Sequence, residues 1–401
     1  MEKVDVLVVG AGPGGAAAAR SCVQRGLKTL IVDKHKLPRR KACSGIISNA
    51  AQNYVLENFG PIPERAFGRP YISRGMAFYF PSVGTVFTDV DCYNLYVWRD
   101  QFDHFLASSS GADLRDQTRF LRLQVREDGV EAVLKRNGKE FKVRSKFLIG
   151  ADGGNSRVVR CVAPEVYRGM TWALACQKYY EGTVEADERY LYWFLKRNMG
   201  PFPWLNLKDG QVIIGLAMIH GQKFAPKFNL LLEFLKKDFG LKIKRELATE
   251  ACIANTMTPL NRFFPGRDRV LLVGDAMGLM HMGGEGISCA LASGGYAGES
   301  VAEALGQGTD ALCRYKERVR PEMETALDQF NPLRMKATTA SDTSRQPGLL
   351  HALSPREKAM AIRDAVVFLG SEFRVEGMAS AVLKNMLHRL VHRQYKIPGA
   401  E

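Results

Sequence analysis

The 401-residue sequence contains no apolar run of the length a membrane span requires, so a protein that crosses a bilayer by helices is not expected. Its eight cysteines show neither a C-x-x-C pair nor a regular spacing, and they read as reduced thiols rather than a disulfide framework. The seven histidines are scattered, and no metal is expected. No Ser-His-Asp arrangement, internal repeat or low-complexity tract emerges. Acidic residues are the scarcer charge, 42 against 56 basic, for a net charge of +14. Such an excess suits nucleic acid, an anionic membrane surface or a phosphorylated substrate. No zinc-finger spacing, RNA-recognition signature or basic-leucine pattern accompanies it, so nucleic acid is set aside. The first apolar run begins within a few residues of Met1. No signal peptide is therefore expected, and the protein is read as cytoplasmic.

What the sequence does have begins at once, with "VVGAGPGGAAAARSCVQRGLKTLIVDK". Val6–Val9 is a β-branched run, expected as a buried strand. Gly10, Gly12 and Gly15 give G-x-G-x-x-G spacing, Ala16–Gln24 a helix with a small-residue face, and Leu27–Val32 a second strand closed by Asp33. This βαβ unit sets a helix N-terminus against a pyrophosphate and an acid against a ribose hydroxyl.

Further on, the chain alternates between two textures. "HKLPRRKACSGII" reads as a basic loop, Arg74–Val97 as aromatic strands with a hairpin signal at Gly84, and Arg99–Ser109 as a helix. "FKVRSKFLIGADGGNSRVVR" is a strand running into a glycine turn, and Thr171–Ile219 is strand-like and aromatic again. "DRVLLVGDAMG" repeats the strand-to-glycine pattern before a long helix rich in Gly, Ala and Ser. From Asp310 the rest reads as mostly helical, with a break at Thr338–Gly348. Nucleotide-binding segments are thus expected at 1–73, 98–170 and 256–309, substrate-domain segments at 74–97 and 171–255, and a helical region at 310–401.

Three motifs in one order, Gly10–Asp33, "GADGGNSRVVR" at Gly150–Arg160 and "VGDAMGLMHMGGEGISCALASG" at Val273–Gly294, resemble the group A flavoproteins. Within that group the sequence is most similar to the geranylgeranyl reductase family. The resemblance implies an α/β protein, a Rossmann-type FAD-binding domain interleaved with an antiparallel-sheet substrate domain, plus a C-terminal helical segment. It implies FAD, bound non-covalently. Gly10, Gly12, Gly14, Gly15, Asp33 and Lys34 would hold the ADP half. Gly274 and Asp275 would face the ribityl chain, with Gly283, Gly284, Gly286 and Ile287 opening a helix toward the pyrimidine edge. Asp152 and Gly153 match the D-G pair near FAD and a passing nicotinamide, and Arg99 matches the arginine at a helix start that contacts FAD. "RRKACSG" at Arg39–Gly45 is similar to the family segment beside the flavin ring, which assigns Lys41, Ala42 and Cys43 to the cofactor.

The catalytic candidates are Cys43, set near the substrate double bond, and His281, a proton donor near the flavin. Each also suits a plainer role, Cys43 as a small buried hydrophobe and His281 as a satisfied loop histidine. Phe202 and Trp204 are the substrate-binding candidates. They stand in "GPFPWLNLKDG", an eroded form of the family's Tyr-x-Trp-x-Phe-Pro-Lys motif in which Trp204 and Lys208 survive. The glycine–aspartate segment lacks its usual proline, and the loop from Gly278 to Glu285 is one residue short. Arg160 takes the D-G motif's arginine, with Val159 where many hydroxylases carry one. The tryptophan pair of flavin halogenases is absent.

The implied activity is saturation of carbon–carbon double bonds in an isoprenoid or lipid, with NAD(P)H or a ferredoxin-type electron-donor protein as outside reductant. Met76–Phe80 and Tyr190–Phe194 are the candidate walls of an apolar tunnel. Two other readings stand beside it: a group A monooxygenase acting on an aromatic or polyketide, and a flavin-binding regulatory protein without turnover. Near the C-terminus Leu383, Met386, Leu387, Leu390 and Val391 form a helical stripe, with Lys384, His388, Arg389, Arg393 and Lys396 largely off it. Such a helix suits packing on the core or peripheral contact with an anionic membrane.

Overall fold

The computed structural model describes residues 1–200, 202–219, 223–255, 262–281, 284–330, 350 and 353–372. The C-terminal stripe, the break at 338–348 and Gly283 lie outside them. In chain order the first elements are β1 (Glu2–Val9), α1 (Pro13–Gln24), β2 (Thr29–Val32), β3 (Ile46–Ile47), α2 (Asn49–Phe59), β4 (Phe67–Phe80), β5 (Gly84–Val97) and α3 (Arg99–Ser108). Next come β6 (Asp113–Arg115), β7 (Thr118–Arg126), β8 (Gly129–Arg136), β9 (Lys139–Gly150), α4 (Arg157–Val162) and α5 (Pro164–Arg168). β10 (Trp172–Thr183), β11 (Tyr190–Phe194), β12 (Phe202–Lys208), β13 (Gln211–Ile219), α6 (Phe224–Asp238) and β14 (Lys242–Asn255) follow. The described chain closes with β15 (Gly266–Arg267), β16 (Val270–Leu272), α7 (Ile287–Gln307), α8 (Ala311–Phe330) and α9 (Pro355–Glu372).

These strands form two sheets among the described residues. The first runs β15-β16-β9-β1-β2-β6, with β7 and β8 extending from β9 as an antiparallel hairpin. Its β6-β2-β1-β9-β16 stretch is parallel and carries helices, so the strands are apolar on both faces and read as continuous β-branched runs. Val6, Leu7, Val8, Leu30, Ile31, Leu148 and Ile149 are wholly buried in its core.

The second sheet runs β14-β10-β13-β12-β11-β4-β5-β3. It is antiparallel except where β11 lies parallel to β4. One face packs Tyr192, Phe194 and Leu205 against Leu231, Phe234 and Leu235 of α6. The chain passes from first sheet to second and back twice, so each sheet is assembled from separated segments.

α1 and α7 approach unusually closely. A Cβ at Gly294 would run into the carbonyl oxygen of Gly14, and one at Gly298 would lie 2.6 Å from Ser21 Cβ. The Ala- and Gly-rich faces of both helices are what make this contact sterically possible. It fixes the two helix N-termini side by side.

Candidate functional site

The seam between the sheets holds a cavity of about 890 Å³. Nearly every residue singled out in the sequence borders it, because the motifs sit at the crossings between the sheets. Those crossings carry Asp33–Ser44, Arg99 and Asp152–Gly154, with Gly274 and Asp275 just after β16. Gly10, Gly12, Gly14, Lys34, Lys41, Ala42, Cys43, Gly153, His281, Gly284, Gly286, Ile287, Phe202 and Trp204 line it as well. Gly15 does not. Its missing Cβ instead lets α1 sit on the carbonyl oxygen of Gly10, so it serves packing.

The βαβ end has the geometry of an anion cradle. Gly10 has φ +109°, and a Cβ there would strike the Ala151 carbonyl. α1 begins at Pro13 with Gly12 as N-cap and no side chain capping it, and Gly12, Pro13 and Gly14 line the cavity, so the helix start is placed to take an anion. A Cβ on Gly12 would find only Arg39 Nη2, 3.5 Å away, and one on Gly153 nothing within 4 Å. These open positions, with the uncapped helix, fit a dinucleotide.

Asp33 is buried. Its carboxylate accepts hydrogen bonds from Ala11 N at 3.1 Å and His35 N at 2.9 Å, and its Oδ2 lies 3.4 Å from Arg39 Nε. It thus braces the glycine loop while keeping acceptor capacity. Arg39 also reaches Asp103 Oδ2 at 3.5 Å. Asp103, 1% exposed, takes a bidentate pair from Arg99 at 2.8 and 2.9 Å. Burial opposes ionisation of Asp103, but Arg99 and Arg39 outweigh it and hold the carboxyl below its usual range.

The D-G turn departs from a simple ligand role. Asp152 accepts from Ser156 Oγ at 2.6 Å, Arg157 N at 2.6 Å and Val158 N at 3.1 Å, so its carboxylate caps α4. Burial nonetheless raises its pKa. Val159 is buried in the first sheet's core, which explains an aliphatic residue there, while exposed Arg160 lies 4.4 Å over the Tyr167 ring.

At the opposite wall, Asp275 Oδ1 would lie 3.2 Å from a Cβ on Gly286, the N-cap of α7. His281 Nδ1 lies 3.2 Å from Glu285 Oε2, and its buried Nε2 has no hydrogen-bond partner among the described residues. Burial works against an ionised Glu285, but hydrogen bonds from His281 and Ser288 hold its carboxyl below the ordinary range. His281, Glu285 and Cys289 bring ligand atoms within 4.8 Å of one another. Glu285 is already engaged by Ser288 N and Oγ at 3.0 and 2.5 Å, a cap on α7 that needs no ion.

The second sheet supplies the apolar end: Leu191, Trp193, Phe202 and Trp204 over a floor of Ala173, Ala175 and Ala217. Trp193 lies 6.4 Å from Trp204 and 6.1 Å from Phe202, centroid to centroid. A Cβ on Gly215 would collide with the Trp204 indole, so the ring lies across that glycine. The expected tunnel walls need correction. Met76–Phe80 does not border the cavity: Ala77 and Tyr79 pack under α6, and Phe78 and Phe80 under α9. Of Tyr190–Phe194, Leu191 and Trp193 line the cavity and the alternating tyrosines and phenylalanine turn into the core.

Residues 3–175 match a family model described as the FAD binding domain. Fold, cavity and match define an FAD-dependent oxidoreductase. The chain is 28% identical, over 76% of its length and 78% of the relative's, to the digeranylgeranylglycerophospholipid reductase of Methanococcus vannielii. A geranylgeranyl bacteriochlorophyll reductase-like protein from Thermoplasma acidophilum has the same fold, with TM-score 0.73, 22% identity and 97% of each chain covered. So does aklavinone-11 hydroxylase, seen with FAD and aklavinone, with TM-score 0.60, 18% identity, and 82% of this chain and 68% of that one covered. The resemblance to geranylgeranyl reductases is borne out in the relatives, whereas the fold alone serves both chemistries.

Proposed function

We propose that the protein saturates carbon–carbon double bonds in the isoprenoid chains of a lipid of the digeranylgeranylglycerophospholipid kind. The observation that carries this is the cavity's division into a glycine-lined polar end and an apolar end of Trp193, Phe202 and Trp204 over an alanine floor. The reductase relative of Methanococcus vannielii adds the substrate class.

Gly12 and the start of α1 would hold the FAD pyrophosphate, Asp33 the ribose, and Asp275 the ribityl chain. FAD supplies the hydride when bound and reduced. The chain's own residues must align the alkene, keep water away and provide a proton, because an isolated alkene is a poor electrophile. The Trp193, Phe202 and Trp204 rings do the first two. Cys43, half-buried at the junction of polar and apolar ends, carries an S–H suited to the third. The reductant comes from outside the chain, as NAD(P)H or a ferredoxin-type protein. A lipid substrate places the protein at a membrane surface, and the +14 charge favours an anionic one. No described helix is long and apolar enough to cross a membrane.

Native mass spectrometry of the purified protein tests the substrate class. A polyprenyl lipid released together with FAD is the expected result. Specific retention of an aromatic polyketide, with no affinity for prenyl lipids, would replace this reading with a hydroxylase.

A further inference from the structure

Behind the segment carrying Cys43 lies a second cavity of about 250 Å³. Arg40, Lys41, Cys43 and Arg99 border both cavities, so Cys43 belongs to the partition between them. The far side is formed by Lys208, Tyr179 and Glu250.

Lys208 is 2% exposed. Its Nζ donates to Ser44 O at 2.8 Å and Val97 O at 3.0 Å and lies 4.3 Å from the Trp98 ring centroid. A Cβ on Gly68 would run into the Lys208 stem, and one on Gly45 would strike the Val97 carbonyl that accepts from Lys208. Burial pulls the pKa of Lys208 down to about 8, and Arg99 adds to that, while Cys43, Asp209 and Glu250 pull it up. Near neutrality the group is therefore charged yet able to release a proton. Burial opposes the charge on Arg99, which also borders Cys43, but the Asp103 carboxylate outweighs it and holds the guanidinium above even its usual pKa, so it cannot. Tyr179 donates to Glu250 Oε2 at 2.8 Å, and Glu250 Oε1 lies 3.8 Å from exposed Arg40, which joins this chamber to solvent. Gln177 Nε2 ties the network to Cys43 by donating to its carbonyl at 3.2 Å.

We propose that Lys208 acts through Cys43 as its proton reservoir, stabilising the thiolate left when the thiol is used as an acid and then returning a proton to Sγ. The proposal rests on the isoprenoid reading for the fate of the first proton. In that reaction one C=C bond becomes single. One carbon gains a hydride from the reduced flavin, which loses two electrons, and the other gains the proton from Sγ. The S⁻ then takes the proton that Lys208 Nζ gives up across the chamber both residues border, and the neutral amine takes one from water through the Glu250 side. Lys208 does not border the substrate cavity, so it is a positioning residue rather than a catalytic one.

The test needs no lipid. Alkylation of Cys43 by iodoacetamide is followed by mass spectrometry of its peptide, from about pH 6 to about pH 10, in purified wild-type, K208M and K208R holoprotein. Exposed Cys313 serves as internal control. Loss of the neighbouring cation in K208M is expected to slow Cys43 alkylation about tenfold near neutral pH, leaving Cys313 unchanged. K208R is expected to keep the fast rate but give a single-step profile, where wild type is broad because Lys208 titrates within it. Identical Cys43 profiles in wild type and K208M would overturn the proposal. Should K208M not fold, K208R decides: a single step supports the reservoir, and wild-type breadth rejects it. Failure of the isoprenoid reading would appear elsewhere, as a reduced flavin that no prenyl lipid reoxidises.

Discussion

Gly12 and Asp103 show how differently single residues enter this site. A Cβ on Gly12 has room as far as the protein is concerned, with Arg39 Nη2 3.5 Å away. Gly12→Ala is therefore expected to leave the melting temperature of the FAD-free protein unchanged while weakening FAD binding at least about tenfold, ~1.4 kcal/mol. Fluorescence titration of the apoprotein with FAD checks it, and full occupancy would remove Gly12 from the cradle. Asp103 is the opposite case, a buried carboxylate holding two arginines. Asp103→Asn leaves Arg99 buried without its counter-charge and should cost about 3–5 kcal/mol near pH 7. Because the folded-state pKa of Asp103 is depressed, its contribution is fully present above the unfolded value near ~3.9 and is lost as pH falls toward the folded one. The stability gap between wild type and D103N should narrow on acidification, as read by urea melts near pH 7 and near pH 3. A constant gap would show that the ionised form is not what matters. The glycines and Asp33 were legible because their spacing is local. Asp103 was not singled out, although it stands four residues after Arg99 on α3 where the two side chains meet. Its link to Arg39 depends on folding alone.

At the scale of elements, the apolar wall depends on one strand crossing another. Gly215 of β13 is paired with Trp204 of β12, and its lack of a side chain lets the indole lie flat across the sheet. Gly215→Ala should push the ring into the cavity, straining the core by about 1–3 kcal/mol. Lipid turnover is expected to fall about tenfold with FAD occupancy intact, measured by product mass and flavin absorbance on the same sample. Unchanged turnover would mean that Trp204 does not shape the substrate channel. The parallel-sheet strands, the Gly84 hairpin and α3 were readable from period and turn residues. The β7–β8 hairpin and α6 were passed over. So was β14, an edge strand in which Lys242 and the consecutive Lys244, Arg245, Glu246 and Leu247 are exposed, with no apolar run to mark it. Assigning Met76–Phe80 to the channel failed because aromatic content does not reveal which face of a strand meets a ligand. The parallel pairing with β11 places Phe78 one strand beyond Trp193, under α9.

At the scale of the whole molecule, two sheets are interleaved so that crossings between them border the seam at Asp33–Ser44, Arg99 and Asp152–Gly154. That arrangement gathers the glycine loop, the Cys43 segment and the D-G turn around one cavity, and the alternation of textures along the sequence announced it. The register between distant segments was hidden. Lys208 hydrogen-bonds the carbonyls of Ser44 and Val97 only because the end of β12 meets the start of β4, with Asp209 N donating to Arg69 O, where Phe67 of β4 pairs with Val97 of β5. The central claim is that this cavity passes hydride and proton to an isoprenoid alkene. The most direct measurement reduces the protein's flavin anaerobically with dithionite, adds a digeranylgeranyl lipid, and follows flavin absorbance and product mass together. The flavin is expected to reoxidise with a gain of about two mass units for each double bond reduced, more slowly in Cys43→Ala with FAD still bound. A flavin that stays reduced with every prenyl lipid, yet reacts with oxygen to hydroxylate an aromatic compound, would contradict it.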